Sequence, residues 1–161
     1  MVSSEKNLSS VKPNRNFDIS KFRFGIVAAE WNEQITEALY SGAYQTLINA
    51  GADREKIERI NVPGAFELSL GSQWMAERSD MDAIICIGCV IRGETKHFDF
   101  ICNAAAGGIT NVSLKFNKPV IFGVLTPNSM KQALDRAGGK YGNKGDEAAT
   151  TAIKMLEVKW Q

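Results

Sequence analysis

One histidine occurs in the chain, in the polar segment Arg92-Gly93-Glu94-Thr95-Lys96-His97, between an apolar run at 83–91 and an alanine-rich run at 100–109. Imidazole ordinarily titrates near neutrality, so it can take a proton and give it back, as carbonyl addition and dehydration require. Position alone is met equally well by an ordinary first-turn residue of a helix. The company of His97 favours chemistry. Other unusual residues gather in the same way: Glu30-Trp31-Asn32, Pro63-Gly64-Ala65-Phe66-Glu67, and Phe122 followed by Thr126-Pro127-Asn128. Each group ends or follows a β-rich run, and open α/β sheets bind ligands beyond the carboxyl ends of their strands.

Further along, Arg136 and the basic turn 140–144 (KYGNK) are most simply a helix-end cation and a solvated link. Together they could also hold a small phosphate, with Thr95 and the amides at a helix start supplying matching donors. These residues imply acid/base chemistry on a small phosphorylated metabolite.

Four β-rich runs, 22–29, 56–62, 82–90 and 119–126, must position these groups. The last two are almost continuously apolar, as in strands covered on both faces. Between the first two, Ile35, Leu39, Ala43, Leu47 and Ala50 recur at helical spacing, with Asn32 as N-cap and Gly51 as terminator. Further helices are expected over 64–78, over 97–116 despite Gly107-Gly108 in its middle, over 127–139 opened by Pro127, and over 146–160. Strand and helix alternate, which predicts a three-layer αβα sandwich around a four-stranded parallel sheet of flavodoxin-like topology.

At 161 residues and 44% hydrophobic, the chain suits one domain, placed at 17–161 behind a polar, disordered leader at 1–16. A formal charge of +1 gives no footprint for nucleic acid or an anionic membrane. No run has the length of a signal peptide core or a bilayer span, so a cytoplasmic protein is expected. Cys86 and Cys89 spell C-x-x-C and, with His97 and Cys102, could be read as a zinc set. Strand positions three apart point to opposite faces, which argues against metal or dithiol chemistry there. Neither G-x-G-x-x-G nor a Walker-type phosphate loop occurs.

Trp31-Asn32, VPGAFE at 62–67, GCVIRGETKHFD at 88–99, PVIFGVLT at 119–126 and DRAGGKYGNKG at 135–145 together resemble the 6,7-dimethyl-8-ribityllumazine synthase family, in order and spacing, over about residues 22–160. The resemblance implies condensation of 5-amino-6-(D-ribitylamino)uracil with 3,4-dihydroxy-2-butanone 4-phosphate in riboflavin biosynthesis, without cofactor or metal. It implies His97 as the catalytic acid/base and Trp31 as the aromatic stacked on the pyrimidine. Asn32 beside it would bond the ring; Ala65, Phe66 and Glu67 would hold the ribityl chain; Cys89, Val90 and Ile91 would line the pyrimidine. Glu94 and Thr95 match the phosphate loop and Arg136 the phosphate-binding arginine. Phe122, Arg136 and Lys144 would come from a neighbouring subunit.

Departures from the common pattern are Cys89 for threonine, Trp31 for phenylalanine or tyrosine, and Glu94 for a small residue; they bear on affinity rather than on the reaction. The family forms pentamers or shells of twelve pentamers, and the short turn GGKYGNKG at 138–145 leans towards the shell. A flavin-binding module of similar architecture would need a hydroxyl-rich phosphate loop after the first strand, where AAEWNEQ offers none. A purely structural shell protein would leave His97, Arg136 and Glu67 without a task.

Overall fold

The computed structural model describes residues 17–160, so the leader expected at 1–16 lies outside the described residues. Chain order is β1 (Phe24–Ala29), α1 (Glu33–Asn49), β2 (Ile57–Val62), α2 (Leu68–Glu77), β3 (Ala83–Cys89), α3 (His97–Phe116), β4 (Val120–Leu125), α4 (Met130–Leu134), β5 (Ala137–Gly139), β6 (Gly142–Asn143) and α5 (Lys144–Lys159). Strands β2-β1-β3-β4 form a parallel sheet in that order. The expected flavodoxin-like sandwich is therefore present. Strand order reverses between β1 and β3, and a crevice at that switch point follows from the topology.

Every residue of β1 and β3 is buried, because helices cover both faces of the sheet. Ile26 and Ala28 join Ile35, Leu39 and Leu47 of α1 and Ile153 and Leu156 of α5 in one core layer. Val27 and Ala29 join Leu68 and Met75 of α2 and Ile109 and Val112 of α3 in the other. The strand's period of two thus feeds two separate cores. Cys86 and Cys89 fall in opposite layers for the same reason.

Helix α3 runs unbroken through Gly107-Gly108. A Cβ on Gly108 would lie 2.0 Å from Ser69 Oγ, so this glycine lets α2 and α3 approach. That contact offsets the roughly 1 kcal/mol a helical glycine costs. Gly51, with φ 99°, terminates α1 as expected.

Three local expectations are corrected. Asn32 stands at the N-cap of α1, but its φ of 62° is left-handed and its side chain makes no capping bond. Pro127 does not open α4. Ser129, extended and accepting from Gln132 N at 3.3 Å, caps a helix that begins at Met130. Helix α4 is five residues long, and the expected helical stretch to 139 gives way to the antiparallel β5–β6 hairpin, which has positive φ at Gly138 within β5 and at Gly142 where β6 begins.

Helices α5 and α1 approach closely at Gly145, where an added Cβ would lie 1.9 Å from the carbonyl oxygen of Leu39 in mid-α1. Relief would need α1 and α5 to move apart, against the core layer they share. Gly145→Ala is expected to lower stability by about 1–3 kcal/mol. A thermal midpoint equal to the parent's would contradict this.

At the amino-terminal rim of the sheet, Glu58 receives Arg78 Nη1 at 2.6 Å and Arg23 Nη1 at 2.8 Å, while Arg78 also reaches Asp80. The Arg78 guanidinium, followed by that of Arg23, holds the Glu58 carboxyl below its ordinary value of 4.5. Because the folded value is lowered, the stabilisation is present above pH 4.5 and is lost as pH falls through the folded value. At one-third exposure solvent screens the cluster, so its worth is about 1 kcal/mol or less. Glu58→Gln should be less stable than the parent at pH 7, with the gap closing as pH falls below 4.5 and through the lowered folded value. Denaturant midpoints measured across that range test this; a gap independent of pH would refute it.

Candidate active site

The loops leaving β1, β2 and β3 are tied together by hydrogen bonds beyond the strands. Glu30 N donates to Val62 O at 2.8 Å and Trp31 N to Pro63 O at 3.1 Å, so the β1–β2 pairing continues into the loops. Asparagine tolerates the left-handed region. That turn starts α1 at once and frees the Asn32 side chain, whose Nδ2 donates to Cys89 O at 2.8 Å. The switch point between β1 and β3 is thereby pinned.

A cavity of about 700 Å³ opens there, within the range of small-molecule sites. It is lined by Trp31 and Asn32 after β1, by Ala65, Phe66 and Glu67 after β2, by Cys89, Val90 and Ile91 at the end of β3, and by Thr95 and His97 at the start of α3. Ten residues singled out in the sequence meet in one place. Glu67 stands at the N-cap of α2 without a side-chain capping bond. Thr95 Oγ1 accepts from the His97 amide at 3.3 Å. Glu94 is exposed and does not line this cavity.

Gly64, Gly93, Phe98 and Ile101 also line the cavity; the two glycines were named in the strand-end groups without a role, and Phe98 and Ile101 were not singled out from sequence. A signal existed for Ile101, since it follows His97 by four residues and so shares its helix face.

Phe122, Arg136 and Lys144 lie elsewhere on the chain. They line a second cavity of about 720 Å³, together with Thr126, Pro127, Gln132 and Glu147, and the two cavities share no residue. Arg136 Nη1 donates to Gln132 O at 3.0 Å, and its guanidinium lies 4.9 Å from the Tyr141 ring centre. Lys144 is ion-paired with Glu147.

Burial pushes the thiols of Cys86 and Cys89 up to about 12, in Cys86 against a lowering hydrogen bond with Ser72. Both are therefore thiols rather than thiolates at neutral pH, poor as nucleophiles or metal ligands. Among the described residues no group of three or more His, Cys, Asp or Glu side chains could hold a metal ion.

Fold and cavities define a flavodoxin-like α/β protein whose crevice at the sheet's switch point carries an aromatic, a carboxylate and an imidazole. Comparison with known proteins narrows this. The family described as 6,7-dimethyl-8-ribityllumazine synthase matches residues 21–159, and the chain belongs to it. A protein of that name from Cytophaga hutchinsonii is 63% identical over 159 residues, covering 97% of this chain and 98% of its own. One from Flavobacterium johnsoniae is 50% identical over 161 residues, covering all of this chain and 85% of its own. One from Parabacteroides distasonis is 50% identical over 156 residues, covering 97% and 98%.

Proposed function

We propose that the chain condenses 5-amino-6-(D-ribitylamino)uracil with 3,4-dihydroxy-2-butanone 4-phosphate, releasing inorganic phosphate and two waters, in riboflavin biosynthesis. The observation that carries this reading is the meeting of Trp31, Glu67 and His97 around one cavity. Trp31 offers an indole face for the pyrimidine, flanked by Asn32, Cys89, Val90 and Ile91. Ala65, Phe66 and the acceptor oxygens of Glu67 serve the ribityl hydroxyls. Amine addition to the ketone, loss of water to the imine, elimination of phosphate and ring closure with loss of the second water each move a proton. His97 is the group placed to relay them.

The phosphate-binding Arg136, with Phe122 and Lys144 that would serve the pyrimidine and ribityl chain, lines the second cavity, whereas the phosphate-loop Thr95 lines the first and Glu94 adjoins Thr95 outside it. A complete site is reached when the first cavity of one protomer faces the second cavity of the next. Such head-to-tail contact gives a ring where the rotation between neighbours closes on itself. We assign the assembly as a homopentamer, and the short turn at 138–145 favours twelve pentamers in an icosahedral shell. Exposure of Trp31 at 74% and Phe66 at 56% in the single chain suits a surface completed by ligand and neighbour. No helix among the described residues is long and apolar enough to cross a membrane, and the reading places the enzyme in the cytoplasm.

The test is to mix purified protein with both substrates and follow lumazine absorbance and fluorescence against the uncatalysed rate. Formation no faster than that background would remove the proposal.

A further inference from the structure

We infer that Arg92, which lines neither cavity, is a positioning residue for both: it ties the segment carrying Thr95 and His97 to the turn carrying Arg136. The inference deepens the proposed function and rests on its shared site. Pairing of β3 with β4 continues past both strands, through Val90 N to Leu125 O at 2.8 Å and Arg92 N to Pro127 O at 3.0 Å. The Arg92 side chain then spreads over three partners. Nε donates to Asn128 Oδ1 at 3.1 Å, Nη2 to Asp99 Oδ1 at 3.3 Å, and the guanidinium carbon lies 4.2 Å from the centre of the Phe98 ring.

Phe98 lines the first cavity, and Asp99 belongs to the first turn of α3, two residues after His97. From Asn128 the connection continues into α4. Asn128 N donates to Gln132 Oε1 at 2.9 Å, and the Gln132 carbonyl accepts from Arg136 Nη1 at 3.0 Å. A continuous chain of contacts therefore joins the two cavities of one protomer, by stacking from Phe98 to Arg92 and by hydrogen bonds from Arg92 through Asn128 and Gln132 to Arg136. Lysine cannot replace Arg92 here, because the planar fork donates in two directions while stacking on an aromatic ring. In a ring of shared sites the two cavities of a protomer serve two different sites, so Arg92 bears on both.

Arg92→Ala, Arg92→Lys and Asn128→Ala assemblies, checked for size by light scattering and for folding by thermal midpoint, provide the test. Arg92→Ala is expected to raise the KM for the phosphorylated substrate about tenfold and to lower kcat several-fold, with Arg92→Lys close to it. Asn128→Ala keeps the Arg92 charge, and it should raise that KM with little change in kcat. Parental KM and kcat in Arg92→Ala would overturn the inference.

A second readout uses assemblies formed from equal amounts of two variants. Arg92→Ala mixed with Arg136→Ala, at low phosphorylated substrate, should recover about a tenth of the activity recovered by a control mixture of His97→Gln with Arg136→Ala. Equal recovery would confine Arg92 to the first cavity and overturn its dual role. If the control mixture itself recovers nothing, the shared site fails, while the single-variant KM values still decide whether Arg92 positions the phosphate-binding residues.

Discussion

Arg136→Ala is expected to raise the KM for 3,4-dihydroxy-2-butanone 4-phosphate about a hundredfold, a loss of about 2.7 kcal/mol. Guanidinium meets phosphate through two parallel charge-assisted hydrogen bonds, and removing both forfeits roughly a factor of ten for each. The side chain is already restrained by the Gln132 carbonyl and the Tyr141 ring, so little of its binding energy is lost to ordering. The KM for the uracil substrate, to which the proposal assigns no contact with Arg136, should stay within about twofold. Arg136→Lys should recover part of the loss, because it keeps the charge and loses the fork. Steady-state kinetics with each substrate varied in turn checks this. An unchanged KM for the phosphorylated substrate would remove Arg136 from the phosphate site.

His97→Gln is expected to lower kcat about a hundredfold, the lower end of what positioned acid/base groups contribute. Both KM values should move little, since glutamine keeps a polar group at the start of α3 without a proton that exchanges near neutrality. The variant should still exceed the uncatalysed rate, because orientation of two reactants supplies acceleration that does not depend on the imidazole. Single-turnover measurements separate this from slowed product release. A kcat within twofold of the parent's would assign the proton transfers elsewhere.

Much of this was legible in the sequence. Helix α3 was read at its observed bounds because a polar segment precedes His97, while Asn117, with φ 51°, leaves the helix at its far end. Strands β1, β3 and β4 were legible as apolar runs, and their alternation with helices fixed the class of sheet. The first cavity followed from the rule that ligands collect at strand ends. What failed was local geometry decided by distant partners. Asn32 was read as a cap because asparagine favours caps, yet its amide is drawn to Cys89 O across the sheet. Pro127 was read as a helix opener, but its carbonyl accepts from Arg92 N and Ser129 takes the cap.

The β5–β6 hairpin was hidden in glycines that read equally well as a link. Arg92 was named in the polar segment after β3, but its tie to Asn128, 36 residues away, left no local signal. Division of the site residues between two cavities was invisible to any pattern along the chain, and only the resemblance to a family had implied it.

The shared site is tested most directly by forming assemblies from equal amounts of His97→Gln and Arg136→Ala protomers. Each variant alone has an impaired half in every site. In random rings about a quarter of the sites combine an intact first cavity from one protomer with an intact second cavity from its neighbour. The account predicts that the mixture recovers about a quarter of the parental activity. Activity no greater than the mean of the two variants measured separately would contradict it.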